Sequence, residues 1–149
     1  MKNLVIYDSQ FGNTEKIAQA IAESISAQAI KVTNINNSNL DNLNILLIGS
    51  PTQGGRATAA LQSFLEQIPA GKLEGVKVAA FDTRLSETEV NFALRLLIKT
   101  IGYAAPKIAK ILVGKGGKEM VPSEGFIVKG KLGPLADGEI ERSKEWIKV

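Results

Sequence analysis

Leu4-Val5-Ile6-Tyr7-Asp8-Ser9-Gln10-Phe11-Gly12-Asn13-Thr14-Glu15 reads as a buried strand, a tight turn and the opening of a helix. Leu4 to Ile6 is apolar without alternation, as in a strand covered on both faces. The turn carries a hydroxyl at Ser9, a glycine at Gly12, then Asn13 and a second hydroxyl at Thr14. The unpaired N–H groups of a helix start, with the positive end of its dipole, suit an anion. No lysine or arginine lies between Ser9 and Thr14, and the Gly-Lys-Ser/Thr ending of a Walker loop is missing. The expected anion is therefore a phosphate held by neutral donors. Asn13 or Thr14 can equally be a plain helix cap that needs no ligand. The loop alone leaves both readings open.

Working outward, Ile45 to Ile48 and Val76 to Phe81 are further apolar runs of the central-strand type. Ile30-Lys31-Val32-Thr33 alternates, and Phe126-Ile127-Val128-Lys129 is short and flanked by Gly125 and Gly130, so both read as edge strands. Helical stripes lie between them. Ile17, Ile21 and Ile25 form one with Ala18 and Ala22; Ala60, Leu61, Phe64, Leu65 and Ile68 form the next, stopped by Pro69. Val90, Leu94, Leu97, Ile98 and Ile101 form a third that ends at Gly102, and Pro106 opens a stretch containing Ile108, Ile111 and Leu112. These last two stretches share a layer with a break at Gly102. Ile140, Trp146 and Ile147 mark a terminal helix.

Strand alternating with helix predicts an α/β fold of three layers, with a five-stranded parallel sheet of order 2-1-3-4-5 and helices on both faces. That order puts the three apolar strands at the centre. It also creates a switch point between strands one and three, where ligands of such folds sit at the carboxyl ends of the strands. The length of 149 residues suits a single domain spanning 1–149, and 44% hydrophobic residues suffice for its core.

The chain has no cysteine and no histidine, which excludes disulfides, thiol catalysis and the commonest general base and metal ligand. Chemistry must rest on hydroxyls, carboxylates, the backbone or a borrowed cofactor. The first apolar run is too short for a signal-peptide core or a membrane span, so a cytoplasmic protein without membrane partners is expected. The net charge of +3 comes from scattered lysines and reads as a solvated surface, with no nucleic-acid partner expected.

Tyr7-Asp8-Ser9-Gln10-Phe11-Gly12-Asn13-Thr14-Glu15 resembles the phosphate loop of flavodoxins, a hydroxyl-rich turn ending in Gly-Asn-Thr. Gly49-Ser50-Pro51-Thr52-Gln53-Gly54-Gly55-Arg56 is similar to the family's glycine-bearing second loop, and Phe81-Asp82-Thr83-Arg84 to the start of its third. Gly125-Phe126-Ile127-Val128 and Gly133-Pro134-Leu135 resemble the tail of short flavodoxin-domain proteins. The resemblance implies non-covalent binding of flavin mononucleotide (FMN), with Ser9, Gln10, Phe11, Gly12, Asn13 and Thr14 around its phosphate. Pro51, Thr52, Gln53, Gly54 and Gly55, with Arg56, would line one side of the ring, and Asp82, Thr83 and Arg84, with Leu85, the other. Gly54 or Gly55 would be the peptide that turns its carbonyl on reduction, since glycine tolerates either orientation. A plain glycine turn that starts the next helix is the competing reading. Arg84 would either stabilise reduced flavin or pair at the surface with Glu87 or Glu89; Arg56 carries a weaker form of the same ambiguity.

Two features depart from the family. Residues 51–56 and 82–89 contain no aromatic side chain to stack on a flavin ring, and Tyr103 and Trp146 read as packing residues. The chain is also mildly basic where flavodoxins are often acidic, which points to an acidic redox partner protein. The expected function is an electron carrier between redox partners. The alternatives are an FMN-dependent reductase that passes hydride from a nicotinamide cofactor to a small acceptor, and a flavin-free interaction module. Gly114-Lys115-Gly116-Gly117 follows a helix and so reads as a helix stop rather than a dinucleotide loop. Gly49-Ser50 and the lone Asp8 do not supply the acidic residues of a phospho-receiver domain.

Overall fold

The computed structural model describes residues 2–86 and 91–148. Parallel strands β1 (Lys2–Tyr7), β2 (Gln28–Lys31), β3 (Leu43–Pro51) and β4 (Lys77–Leu85) assemble in the order β2-β1-β3-β4, as the hydrophobic runs predict. The edge beyond β4 is filled in two pieces. β5 (Lys118–Glu119) pairs with Lys77 and Val78, and β6 (Glu124–Val128) pairs with Phe81 to Leu85. Only β6 was legible as a strand, because β5 is two charged, exposed residues with no hydrophobic pattern. The second strand also stops earlier than its alternation suggests. β1 ends at Tyr7, opposite Lys31, so Val32–Asn34 lose their ladder partner and form a 3-10 turn.

The central strands bury both faces. Leu4, Ile6, Leu46, Ile48, Val78 and Ala80 point to one layer, covered by Leu61 and Leu65 of α2 (Ala59–Gln67) and Ile108 and Leu112 of α4 (Ala104–Gly114). Val5, Tyr7, Leu47, Ala79 and Phe81 point to the other. There they meet Ile17 and Ile21 of α1 (Asn13–Ser24) and Ile147, which follows α5 (Glu139–Trp146). Trp146 packs edge-on against Phe81 and Phe126 at 6.2 and 5.9 Å and donates its indole N–H to the Pro122 carbonyl at 2.9 Å. It is a packing residue, as expected.

The helix α3 (Phe92–Ile101) departs from expectation. Its apolar stripe reads as a core face, yet none of its residues is buried. The sheet beneath is already covered: Ala104, Ala105, Ile108 and Leu112 of α4 are all within the core. Asn91 caps α3 by accepting from the Leu94 N–H, and Gly102, at φ 82°, turns the chain into α4. Val90, assigned to this stripe from sequence, lies outside the described residues, as do Glu87 and Glu89.

Candidate functional site

The first loop leaves β1 at the carboxyl edge of the sheet, where a polar lattice fixes it to its neighbours. Asp8 accepts from the Ser9 N–H at 2.9 Å and from the Thr58 hydroxyl at 2.5 Å. Thr58 in turn caps α2 through the Leu61 N–H, and its own N–H donates to Ser50 Oγ at 3.1 Å. One buried carboxylate thus ties the first loop to the end of the second.

Within the loop, Ser9 Oγ accepts from the N–H groups of Gly12 (3.1 Å) and Glu15 (3.3 Å). Gly12 sits at φ 88°, a left-handed conformation that disfavours any side chain. The N–H groups of Gln10, Phe11, Asn13 and Thr14 have no acceptor among the described residues. Neither Asn13 nor Thr14 caps α1; its N-cap is Gly12, and the Glu15 N–H of its first turn goes to Ser9. Their side chains turn inward instead. Asn13 Nδ2 donates to the Leu132 carbonyl at 3.3 Å, and Thr14 Oγ1 shares a 2.7 Å hydrogen bond with Thr83 Oγ1. Asn13 and Thr14 are therefore not the caps of this helix, and its start keeps the Asn13 and Thr14 N–H groups without an acceptor among the described residues.

The second loop turns through Gln53–Arg56, with reciprocal backbone bonds of 2.8 and 3.1 Å and positive φ at Gly54 (57°) and Gly55 (79°). These angles call for glycine at both central positions. The two carbonyls differ. Lys107 Nζ holds that of Gly55 at 2.6 Å, whereas that of Gly54 has no donor among the described residues.

Asp82, Thr83 and Arg84 lie inside β4 rather than in a loop, because β6 pairs with the strand as far as Leu85. Asp82 is fully buried; its carboxylate takes the Arg84 guanidinium at 2.7 and 2.8 Å and the Ala105 N–H at 2.9 Å. The guanidinium lies 3.5 Å from the Tyr103 ring centroid and so close over Gly125 that a Cβ there would collide with it. Arg84 is thus engaged by Asp82, Tyr103 and Gly125.

Between these elements runs a groove of about 540 Å³ lined by Gln10, Phe11, Pro51, Thr52, Gln53, Thr83, Arg84, Leu85, Val128 and Lys131. Its inner end narrows to a recess against Ser9, Asn13 and Thr14. A side cavity of about 200 Å³ shares Thr52, Arg84 and Leu85 with it and is lined further by Gly54, Gly55, Tyr103 and the inner face of α3. The structure thus brings eleven of the sixteen residues singled out from sequence to the groove and its recess, while Arg56 lines a separate hollow with Gln62 and Lys107. Gly12 shapes the loop, Gly54 and Gly55 border the side cavity, and Asp82 lies beneath. Phe11, 48% exposed, is an aromatic side chain on the groove wall.

Sequence reasoning missed Lys131, which lines both the groove and the recess. It lies 117 residues beyond Thr14 and reaches the phosphate-type loop because its neighbour Leu132 accepts from Asn13. No local pattern announces such a lysine. Near the recess, burial and the Glu15 carboxylate raise the Tyr7 phenol above its ordinary value. Among the described residues no acidic cluster suits a metal ion, and no helix is long and apolar enough to cross a membrane.

Comparison with known proteins agrees with this geometry. The fold is shared with a flavodoxin from the domain Archaea (22% identity, TM-score 0.77, covering 98% of this chain and 93% of that one). It is likewise shared with an oxidised flavodoxin of Bacillus cereus (19%, 0.74, 97% and 93%). A Clostridium beijerinckii flavodoxin is 34% identical over 84 residues, which span 52% of this chain and 60% of that relative. The family profile described as a flavodoxin domain matches residues 4–115. The cofactor of that family is FMN. With two strand-end loops and the end of β4 meeting at one groove by the sheet's switch point, and most of the chain matched, this chain belongs to the flavodoxin family.

Proposed function

We propose that the groove holds FMN and that the protein carries electrons between redox partners in the cytoplasm. The observation that carries this reading is the inner recess, where four acceptor-free N–H groups stand beside the Ser9 and Thr14 hydroxyls and Lys131. That donor set fits a phosphate: directed backbone donors, the helix dipole and one cation. Pro51, Thr52 and Gln53 form one wall for the ring, Thr83 and Leu85 the other, and Phe11 offers an apolar face at the rim. When bound, FMN supplies the redox chemistry; the chain supplies position and electrostatics.

Gly54 has the carbonyl that is free to re-orient, because Lys107 pins that of Gly55. Arg84 acts through structure: its charge is balanced by Asp82, so it anchors β4 against α4 rather than stabilising reduced flavin. The net charge of +3 favours an acidic partner protein, with docking that weakens as salt rises.

The test is a visible spectrum of the purified protein, FMN titration of the apo form and potentiometric reduction. A flavin spectrum, acid release of intact FMN and two separate one-electron steps support the carrier. Protein that neither carries nor binds FMN overturns it. The side cavity favours a second reading, hydride transfer from a nicotinamide cofactor to a small acceptor, because it offers room beside the ring walls. Bleaching of bound flavin by NADH or NADPH without added reductase would select that reading.

A further inference from the structure

We infer that α3 is a shallow in-plane anchor that seats this protein on an anionic lipid surface. Of the ten large apolar side chains found exposed among the described residues, seven fall between 92 and 113: Phe92, Leu94, Leu96, Leu97, Ile101, Ile111 and Val113. Of these, Phe92 and Leu96 lie on α3 away from the side cavity, and their exposure one turn apart marks an interaction site. The same stretch of sequence is also rich in positive charge. Residues 91–118 hold six lysines and arginines and no aspartate or glutamate, whereas the rest of the chain holds twelve against fifteen. Of the six, Arg95 and Lys99 lie on α3 itself, which carries no acidic residue, and an anionic surface is their complement.

The two sides of α3 have separate tasks. Leu94, Leu97, Ile98 and Ile101 line the side cavity. Phe92 and Leu96, one turn apart, do not, and they are 74% and 50% exposed. Arg95 and Lys99, again one turn apart, flank them on the helix. That is the layout of an interfacial helix, with apolar side chains entering the acyl boundary and cationic stems reaching back to headgroups.

A lipid surface fits better than a protein partner for a compositional reason. The exposed set is aliphatic apart from Phe92, and lysine is interleaved with it. Protein interfaces enrich aromatic residues and arginine and deplete lysine, whereas residues 91–118 hold five lysines to one arginine. Ten residues cannot span a bilayer, so the contact is peripheral. Because the inner face of α3 walls a cavity that shares Thr52, Arg84 and Leu85 with the groove, docking through α3 brings the groove close to the membrane. This inference does not depend on what the groove binds.

The experiment is co-sedimentation of the full chain with vesicles of phosphatidylcholine alone and of equal parts phosphatidylcholine and phosphatidylglycerol. The expected result is binding at least about tenfold stronger to the anionic vesicles and weakened by salt. Phe92→Ser/Leu96→Ser should lower it about tenfold or more, and Lys99→Glu about fivefold or more, with circular dichroism and FMN affinity unchanged. None of the three residues lines the groove or its cavity. Equal or absent binding to the two vesicle types overturns the inference, as does binding indifferent to these substitutions. A dimer in sedimentation equilibrium that the Phe92→Ser/Leu96→Ser pair dissolves also overturns it, by assigning the face to a second copy.

Discussion

Replacing Lys131 with glutamine separates the two ways in which the recess can bind a phosphate. Lys131 is exposed, so its attraction to an anion is screened by water. A unit charge about 5 Å away at an effective dielectric of about 60 is worth about 1 kcal/mol per phosphate charge. A phosphate monoester carries about −1.5 to −2 near neutral pH, and ordering the lysine stem offsets part of that gain. The net expectation is about 1–1.5 kcal/mol, a loss of roughly five- to tenfold in FMN affinity. Riboflavin has no phosphate, so its affinity should stay within about twofold of wild type. Lys131→Arg should retain FMN affinity, and the gap between wild type and Lys131→Gln should narrow as salt rises from low to moderate ionic strength. Flavin fluorescence quenching on titration reads all of these. Equal losses for FMN and riboflavin would place Lys131 against the ring rather than the phosphate. An unchanged FMN affinity would refute the reasoning, leaving the recess to its neutral donors as the first loop alone suggests.

Three further outcomes follow from the same geometry. Asp82→Ala strips the Arg84 guanidinium and the Ala105 N–H of their shared acceptor, and should cost about 3 kcal/mol in urea unfolding. Asp82→Ala/Arg84→Leu should recover part of that loss, and no recovery would mean that the pair is not the source of the cost. Glu139 is held below the ordinary carboxylate range, first by its hydrogen bonds to Arg142 and also by the Ile127 N–H, against burial. A depressed folded value gives stability that is present above the unfolded value and lost as pH falls through the folded one. Wild-type stability should therefore decline below about pH 4.5, and Glu139→Gln should flatten that decline; parallel curves would contradict it. Gly133→Ala adds a Cβ that meets the Asn13 amide at φ 104°, so it should weaken FMN binding more than it lowers the melting temperature. Equal FMN affinity would show that the Asn13 tether to the last loop is dispensable.

The sheet was legible because its information is local. A strand buried on both faces must be apolar at every position, and Leu46-Leu47-Ile48 and Val78-Ala79-Ala80 are. The first loop was legible because glycine, asparagine and hydroxyl residues are placed there by turn geometry and helix-start chemistry. Three things escaped. β5 carries no pattern, since two charged residues join the sheet only through backbone bonds. The stripe of α3 has the right period for a core helix, but periodicity records amphipathicity and not what the apolar face meets. Lys131 belongs to the recess only through the contact between Asn13 and Leu132, a relation that no window of sequence contains.

The residues that matter most to the groove's shape are those that line little of it. Asp8 joins the first loop to Thr58, the Thr14 and Thr83 hydroxyls join the first loop to β4, and Asp82 joins β4 to the start of α4. Each link is a buried polar group with its partners satisfied, and no buried side-chain N or O lacks a partner among the described residues. Buried polar groups left unsatisfied cost far more than satisfied ones gain, so such links favour one arrangement of the loops over nearby alternatives. The backbone donors of the recess are spared from this lattice: Ser9 takes two of the loop's N–H groups and leaves four without a protein acceptor. A loop held rigid by its side chains while its backbone donors stay open is prepared for an anion before one arrives. The ordering entropy is then met in folding rather than in binding. On the proposed reading, that division of labour is how a recess with one exposed lysine among its described lining residues would serve a phosphate.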